Sequence, residues 1–553
     1  MEMANILYLR IGSGQTRMNN MNQNNGMQKR MLIMTLIVFV FFLAYEFLVL
    51  KPQKEAKEAA AKQTQETTVK TTPSVEGMAQ TDVSGNPIDM SKSVSALSSK
   101  AVASNDIVTV IKTARSSIEI DKLGRIAQIT LLEEKYKDED GNQIKLFEAN
   151  QLRPLEVRFA DTAINANAFK VSVVANKKII DASKSKQELI LTQNLGDTVL
   201  TKKLTFYPNG HYDLSASTTN AKKIFITNGF RPNVLADMYA DHGIYLKLQD
   251  STMELIEDGD LDKTKNYVGI KFVSSFDRYY ATVVYNFEKS LAVSLMPDSE
   301  GNPQAFIHGN DNIAFSGYAG PKNFKDLKAL NPELTDVIEY GWFTFIAKPM
   351  FLLLQFIQSY VGNWGWTIVI LTILIKLVLY PLSYKGMVSM NKLKELAPKM
   401  KEIQTKYKDD KQKQSMHMME LYKKHGANPM GGCLPLVLQI PVFFAIYRVL
   451  LNAIELKGSE WIFWINDLAE MDPYFILPIL MGASMFLQQK ITPNTMQDEM
   501  QKKIFQFLPV IFTFFFLWFP AGLTLYWVVN NIFTIGQQYY INRLFDKKRA
   551  EKK

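Results

Sequence analysis

The sequence predicts a multidomain protein in which a polytopic α-helical membrane core, with six transmembrane helices in all, is joined to an all-β sandwich domain. Three features of its 553 residues support this interpretation. Several long runs are nearly free of charge, residues 106–330 alternate apolar with polar side chains, and Lys and Arg concentrate in short segments between the runs. The mean hydropathy of -0.07 therefore averages two unlike regions and describes neither.

The composition excludes several classes of protein. A single Cys excludes a disulfide framework and a multi-cysteine metal site, and the five His residues are not spaced as a ligand set. No phosphate-binding loop, GxSxG, HExxH or paired-carboxylate pattern is present in the sequence. We therefore expect no enzyme activity, no cofactor and no metal ion. The net charge of +9 is compatible with binding to nucleic acid, binding to anionic lipid or a membrane topology signal. The distribution of the charge along the chain has to distinguish these three explanations.

The N-terminal segment predicts a membrane anchor. Residues 31–50 form an apolar run whose only charge is Glu46, and a helix of this length spans ~30 Å, the thickness of the hydrocarbon layer. A cleaved signal peptide is the alternative, but no small-residue cleavage site follows the run. We expect a cytoplasmic N-terminus at 1–30, transmembrane helix 1 at 31–50 and a flexible linker at 51–105, which has almost no large apolar residues.

The first residues also raise the question of where translation starts. Met18, Met21 and Met27 lie in a stretch rich in Asn and Gln that precedes the anchor. We expect residues 1–17 or 1–20 to be an over-called start.

Residues 106–330 predict a single β-sandwich domain. Short runs rich in β-branched and aromatic residues, such as Ile107–Val110 and Ala281–Tyr285, recur between turn signals. Pro208-Asn209-Gly210 separates two of these runs, which is typical of a β-hairpin. The histidines of this region are isolated, so we expect surface or core histidines rather than catalytic ones.

The C-terminal part of the chain is dominated by apolar runs. Residues 504–542 contain no charge, and as one helix they would extend ~58 Å, about twice the hydrocarbon thickness, so Pro520-Ala521-Gly522 is interpreted as a turn between two spans.

Residues 337–360 are interrupted by charges and are interpreted as an interfacial amphipathic helix, with an extended start of the next span as the alternative. The further predicted segments are transmembrane helices 2 to 6 at 361–384, 433–454, 473–489, 504–520 and 522–542, a helical hairpin at 385–432, loops at 455–472 and 490–503, and a basic tail at 543–553.

The basic residues predict one topology. Segments 1–30, 385–432, 490–503 and 543–553 hold 4, 11, 3 and 6 Lys and Arg residues, whereas loop 455–472 holds 1. With six spans, all four basic segments lie on the same side of the membrane, which the positive-inside rule assigns to the cytoplasm. Both termini are then cytoplasmic, the β domain and loop 455–472 face outward, and the net charge is explained without nucleic acid.

Charged and polar groups inside the predicted spans are the candidate functional residues. Lys376 lies near the middle or in the inner half of its span, and a Lys at the centre of a span costs about 2.5–3.5 kcal/mol and usually faces water or protein. Extension of its side chain to the interface is the alternative. Arg448 and Glu46 lie near outer ends, and we expect them to extend to the interface. Uncharged polar groups of the spans either line a wet cavity with Lys376 or form ordinary interhelical hydrogen bonds. These groups are Thr372, Gln439, Thr524, Asn530, Asn531 and Gln537.

Several motifs resemble the bacterial YidC-type membrane protein insertases. YAGPK (Tyr318–Lys322) resembles the end of that family's periplasmic domain, and the extra N-terminal residues depart from the family pattern. The other motifs that carry the resemblance are YGWFTFIAKPMF (Tyr340–Phe351), VGNWGW (Val361–Trp366), KLVLYPL (Lys376–Leu382), NPMGGCLPLVLQIPVF (Asn428–Phe443), DPYFILPILMGASMF (Asp472–Phe486) and LPVIFTFFFLWFPAGLTLYW (Leu508–Trp527).

The resemblance implies a membrane insertase and chaperone for newly synthesised proteins of the bacterial inner membrane. Such a protein works alone or with the Sec translocon, has its large domain in the periplasm, and carries a hydrophilic groove open to cytoplasm and lipid. Its partners would be nascent membrane proteins, the Sec translocon and the phospholipid bilayer. The basic tail would allow a ribosome contact, although the topology signal already explains that tail.

The resemblance also implies site residues. The family's basic groove residue, usually Arg, matches Lys376, and the substituted Lys keeps the charge but loses the planar fork of donors. Thr372, Gln439, Tyr526 and Trp527 match positions that line the groove or meet the substrate. The hairpin at Lys385–Gly426 would serve activity and partner contact. The competing hypothesis is a transporter or channel with a periplasmic sensor domain, for which we see neither internal repeats nor rings of charge.

Overall fold

The computed structural model describes residues 106–551 except 139, 235–240, 409, 428–433 and 493–498. The described residues all belong to one compact unit. The predictions for the N-terminal segment at 1–30, the first transmembrane helix at 31–50 and the linker at 51–105 lie outside the described residues.

The first part of the described chain is rich in β-structure, as the alternating pattern predicts. One short helix, α1 (Thr162–Ala168), interrupts the strands, and Asp161 caps it by accepting hydrogen bonds from the amides of Ala163 and Ile164. The strands are β1 (Ile107–Lys112), β2 (Ser116–Asp121), β3 (Ile126–Leu131), β4 (Val157–Phe159), β5 (Val174–Ala175), β6 (Ile179–Asp181), β7 (Gln187–Asn194), β8 (Val199–Phe206), β9 (Tyr212–Thr218), β10 (Ile224–Thr227), β11 (Gly243–Leu248), β12 (Met253–Glu257), β13 (Lys265–Phe276), β14 (Tyr280–Tyr285), β15 (Leu291–Pro297), β16 (Pro303–Gly309) and β17 (Asn312–Pro321).

The strands form two sheets. The small sheet has the order β3-β2-β1-β6, and the large sheet has the order β4-β10-β16-β15-β13-β14-β17-β9-β8-β7-β5, with β11 and β12 attached to β13. The long strand β13 joins the two halves of the large sheet, since its first half pairs with β15 and its second half with β14. Buried side chains of both sheets, such as Ile118 and Leu204, belong to one hydrophobic core.

The hairpin predicted at Pro208-Asn209-Gly210 is confirmed. Strands β8 and β9 pair antiparallel across this turn, with Phe206 opposite Tyr212. Gly210 has a φ of 89°, a conformation that residues with a side chain rarely adopt. Residues of both strands alternate between buried and more exposed positions, so the period of two in the sequence directs one face of the hairpin into the core.

The second part of the described chain is helical. Helix α2 (Phe324–Leu330) and a 3₁₀ turn (Pro332–Val337) connect the last strand to this region. The remaining helices are α3 (Thr344–Val361), α4 (Trp364–Val378), α5 (Tyr380–Lys406), α6 (Lys411–His425), α7 (Leu434–Asn452), α8 (Ile476–Ile491), α9 (Glu499–Phe516) and α10 (Ala521–Ala550).

Among the described residues, no single helix combines the length and the hydropathy that a membrane crossing needs. Helices α4 and α5 qualify only as a pair, and their axes are bent by 64° at the break between them. Shorter apolar helices occur at Gln439–Asn452, Ile476–Ile491 and Gln506–Phe516. The six transmembrane helices therefore stay a prediction.

A buried ionic cluster joins the two sheets. Asp121 at the end of β2 accepts hydrogen bonds from Arg125 Nε and Arg153 Nη1 at 2.8 and 2.9 Å. Glu156, directly before β4, accepts from Arg125 Nη1 at 2.8 Å and from Arg158 Nε at 2.9 Å. All five side chains are buried, so removing one partner leaves an uncompensated charge in the interior.

Glu156→Gln is expected to lower the free energy of unfolding by about 3–5 kcal/mol, because Arg125 and Arg158 then lose their shared carboxylate. Urea unfolding of the full-length protein in detergent, followed by circular dichroism, measures this change. Glu188→Gln is the matched control, since its ion pair with Lys203 is exposed and we expect a loss below about 1 kcal/mol. Equal losses in the two variants would contradict the assigned role of the cluster.

Candidate functional site

Lys376 lies in the interior of the helical region, and no described carboxylate pairs with it. Its side chain is 7 % exposed, and Nζ donates a hydrogen bond to Thr534 Oγ1 of α10 at 2.8 Å. Thr534 in turn donates to the backbone oxygen of Asn530 at 2.7 Å. Within the described part of the chain, Lys376 forms no ion pair. Its charge is therefore held by neutral dipoles and is not cancelled by an anion.

Helix α10 carries a row of polar residues that other helices contact. Gln439 of α7 donates to Asn530 Oδ1 at 2.8 Å, one helical turn from the contact of Lys376 with Thr534. Asn531 donates to Ser484 of α8 at 3.0 Å. Further along the helix, Asn542 accepts hydrogen bonds from Asn391 of α5 and from Gln538, and donates to the backbone oxygen of Ile491 of α8. The row thus connects α10 with α4, α5, α7 and α8.

The periodicity of an α-helix explains this row. Residues 530, 534, 538 and 542 are four apart, and positions with this spacing lie close together on the surface of a helix. Asn530, Thr534 and Asn542 contact side chains of neighbouring helices, whereas Gln538 donates to Asn542 of the same helix. The row therefore fixes both the rotation of α10 and the positions of the helices around it.

The structure brings two of the predicted site residues together through α10. Lys376 and Gln439 both contact this helix, at Thr534 and Asn530. Thr372 is buried one turn before Lys376 on α4, and its hydroxyl donates to the backbone oxygen of Ile368 at 2.7 Å. Thr372 therefore shares a helix face with Lys376 without a hydrogen bond to it.

Tyr526 and Trp527 occupy successive positions of α10, so their side chains point about 100° apart around the helix. Tyr526 is buried. The indole of Trp527 packs edge-on against the ring of Phe443 at 4.7 Å and lies 5.4 and 5.9 Å from the rings of Phe516 and Phe512. Trp527 therefore belongs to an aromatic cluster formed by α7, α9 and α10.

Sequence reasoning missed several members of the network, namely Thr534, Gln538, Asn542, Ser484 and Asn391. For Thr534, Gln538 and Asn542, the signal was the spacing of four along α10, which continues beyond Asn530 into residues 534 to 542. No such signal marks Ser484 of α8 or Asn391 of α5. The contacts themselves were out of reach, because Lys376 and Thr534 are 158 positions apart in the chain.

At the other end of α7, Arg448 contacts the β domain. Its Nη1 donates to Asp241 at 2.6 Å and lies 3.5 Å from a carboxylate oxygen of Glu339. The guanidinium of Arg448 therefore lies against two carboxylates. The sequence predicts only that this side chain extends toward the outer interface, and the structure adds these two partners. Burial raises the pKa of Glu339 above its ordinary value, although Arg448 opposes this shift.

A second charged cluster connects the β domain to α3. Lys247 Nζ lies 2.8 Å from both Glu333 and Asp336, Lys271 lies 3.0 Å from Glu333, and Lys348 of α3 lies 2.6 Å from Asp336. The hydrogen bond from Lys247 lowers the pKa of Glu333. Burial alone would raise the pKa of Asp336, but the hydrogen bonds from Lys247 and Lys348 outweigh it and lower the pKa. We call these five residues the acid–lysine cluster.

Comparison with known proteins gives matches over nearly the whole chain. Residues 356–549 match the family described as 60Kd inner membrane protein, and residues 238–353 match the YidC periplasmic domain. The protein named membrane protein insertase YidC from Campylobacter jejuni is 48% identical over 540 residues, which cover 97% of this chain and 99% of that protein. Those from Wolinella succinogenes and Helicobacter pylori are 50% and 43% identical, covering 95% and 96% of this chain and 96% and 98% of theirs.

Solved structures also match at low sequence identity. A crystal structure of an active YidC insertase is 18% identical with a TM-score of 0.37, covering 80% of this chain and 94% of that one. The crystal structure of YidC from Thermotoga maritima is 16% identical with a TM-score of 0.29, covering 79% of this chain and 98% of that one.

The acid–lysine cluster predicts a pH-dependent stability. The pKa values of Glu333 and Asp336 lie below their ordinary values of 4.5 and 3.8 in the folded state, so their contribution is present above those values and is lost as the pH falls below them. In Glu333→Gln/Asp336→Asn, the midpoint temperature of unfolding should be lower near pH 7 and should fall less than that of the wild type between about pH 6 and pH 3. Differential scanning calorimetry checks this, and an equal fall in both proteins would contradict it.

Proposed function

The chain belongs to the YidC family and acts as a membrane protein insertase, and we propose that its substrates pass through a hydrophilic groove centred on Lys376. The observation that supports the groove is the cation of Lys376, which is buried among helices and held by the hydroxyl of Thr534 without an ion pair in the described chain. We assign Thr372, Gln439, Tyr526 and Trp527 to the same groove. A transporter or channel is not favoured, because relatives that match over nearly the whole chain are insertases.

The topology that we propose has six membrane spans. Both termini, the hairpin of α5 and α6 and the loop at 490–503 lie in the cytoplasm, and the β domain lies in the periplasm. The distribution of Lys and Arg supports this orientation. Helix α3 is assigned to the outer interface, since Ala347, Phe351 and Leu354 are buried on one side while Phe356 and Tyr360 are exposed.

Electrostatic attraction is the first step of the mechanism. A polar tail of a substrate, often acidic, enters the groove instead of hydrocarbon, where its charges and backbone groups would be costly. Two unit charges 4 Å apart attract by about 1 kcal/mol in water and about 4 kcal/mol at an effective dielectric constant near 20, so Lys376 acts more strongly inside the protein than at its surface. Lys376 also carries no competing ion pair with a described carboxylate.

Lateral release is the second step. The groove shortens the apolar path that the tail must cross, and the apolar helix of the substrate then moves sideways into lipid. Burial of its side chains away from water favours this step by about 25 cal/mol per Å². No covalent intermediate, nucleotide or cofactor is required, so we propose a non-enzymatic insertase that uses the free energy of membrane partitioning.

The partners follow from this role. Newly synthesised inner-membrane proteins are the substrates, and we propose that the protein receives them either alone or beside the Sec translocon. The hairpin of α5 and α6 leaves Met416 and Met419 exposed, and such flexible apolar side chains suit contact with varied partners. The basic tail at 543–553 is available for a ribosome contact.

Lys376→Ala is expected to reduce insertion of a single-span substrate with an acidic translocated tail by about tenfold, equivalent to ~1.4 kcal/mol of lost attraction. Lys376→Glu should reduce it further, whereas Lys376→Arg should retain it because the charge is kept. Protease protection of the tail in reconstituted vesicles measures insertion.

Lys490→Ala is the matched control, since this lysine is exposed at the end of α8 and contacts only the ring of Phe486 among the described interactions. A substrate with an uncharged tail should respond less to Lys376→Ala than the acidic one. Insertion of acidic tails by Lys376→Glu at the wild-type level would refute the attraction step.

A further inference from the structure

Gln537 of α10 is a buried amide without a hydrogen-bond partner among the residues that the structure describes. The residue is 8 % exposed, and neither Nε2 nor Oε1 has a partner although both atoms are shielded from solvent. Its neighbours on the same helix differ, because Thr534, Gln538 and Asn542 all form hydrogen bonds to side chains. A buried donor and acceptor that are left unpaired lower the stability of the folded state. The unpaired amide therefore needs an explanation other than stability.

The position of Gln537 connects it with the groove. Residues 530, 534 and 537 follow the three-and-four spacing of one helix face, so Gln537 lies one turn beyond the contact between Lys376 and Thr534. Trp527 begins the same stripe, and its Nε1 is also buried with no partner in the described part of the chain. The two unpaired groups are ten residues apart, which is ~15 Å along a helix and matches roughly four to five residues of an extended chain.

An extended polypeptide backbone offers the hydrogen-bond donors and acceptors that could pair with the Gln537 amide. A primary amide offers both donors and an acceptor, so it can pair with the C=O and the N–H groups of a main chain. A translocating hydrophilic tail brings such groups unpaired into the membrane, because it is neither a helix nor part of a closed sheet. Every residue has the same main chain, so recognition by an amide would not depend on the sequence of the tail.

We propose that Gln537, together with the indole N–H of Trp527, binds the extended main chain of the substrate's hydrophilic segment during insertion. This inference rests on the proposed groove and adds a sequence-independent recognition element to it. Gln537 acts as a specificity-determining residue that distinguishes an extended backbone from a helix, whose N–H and C=O groups are already paired.

The burial of Gln537 implies that the groove opens for the substrate. The polypeptide can reach Gln537 only if α10 separates from its neighbours, which breaks the hydrogen bonds from Lys376 to Thr534 and from Gln439 to Asn530. The closed state with its unpaired amide is less stable than it would be with an apolar residue, so less free energy is needed to leave it. The opened state pairs the amide and frees Lys376 for an acidic group, and the substrate thereby shifts the equilibrium toward opening.

Gln537→Leu in the full-length protein tests this proposal. The substitution removes the unpaired groups, so we expect the midpoint temperature of unfolding to rise by ~2 °C or more. The probe is a synthetic single-span peptide with an uncharged N-terminal tail, inserted into vesicles of phosphatidylethanolamine and phosphatidylglycerol. Insertion of this peptide should fall by about tenfold, a loss of binding that a change in stability alone would not produce.

A second version of the peptide, with ester linkages that replace tail amides, removes N–H donors from the main chain. The wild-type protein should insert this ester version less well than the amide version. Gln537→Leu should insert the ester version at least as well as the amide version, because fewer N–H groups then have to lose water. Gln537→Asn, which keeps a shorter amide, should restore part of the difference. Gln538→Leu is the neighbouring comparison, because it loses a hydrogen bond with Asn542 and should lower the midpoint temperature.

The proposal is overturned if Gln537→Leu inserts the amide peptide at the wild-type level, if it lowers the midpoint temperature, or if the ester linkages reduce insertion equally in both proteins. The acidic-tailed substrate separates this failure from that of the groove. Loss of its insertion in Lys376→Ala, with wild-type insertion of the amide peptide by Gln537→Leu, rejects only the backbone contact. Wild-type insertion in both variants rejects the groove itself.

Discussion

The contact between Lys376 and Thr534 is the interaction on which the helical region depends. A lysine in an apolar interior has to find polar partners, and here a hydroxyl of α10 supplies one. The helix that provides this hydroxyl also carries Asn530, Asn531 and Asn542, each of which contacts another helix. The helix that supplies a hydrogen-bond partner to Lys376 is therefore also the helix that contacts α4, α5, α7 and α8 through its polar residues.

The β domain compensates the cost of removing its buried arginines from water in a different way. Its buried arginines meet Asp121 and Glu156, so each charge lies against an opposite one and the two sheets are fastened together. Lys202 reaches into this region and donates to the backbone oxygen of Leu155 at 3.2 Å, while burial lowers its pKa to about 8. Lys202 and Lys376 are thus both held by neutral oxygens, whereas the buried arginines lie against carboxylates.

Local patterns in the sequence predicted the β-rich region and the hairpin at Pro208-Asn209-Gly210. They succeeded because turn chemistry and alternation are properties of a few neighbouring residues. The pairing of Arg448 with Asp241 joins residues 207 positions apart, and no local pattern carries that information. Thr534 continues the spacing of four from Asn530, but its contact with Lys376, 158 positions away, could not be predicted from that spacing.

Stability and function impose opposite demands on the polar row of α10. Where every group is paired, as at Asn542, the row stabilises one arrangement of helices. At Gln537 and Trp527 of the same helix, by contrast, polar groups have no partner among the described residues, so the folded state is less stable than it could be. A protein that only needed to be stable would fill these positions with apolar residues. The proposed mechanism requires a polypeptide to enter between the same helices, and unpaired groups there would make the closed arrangement easier to leave.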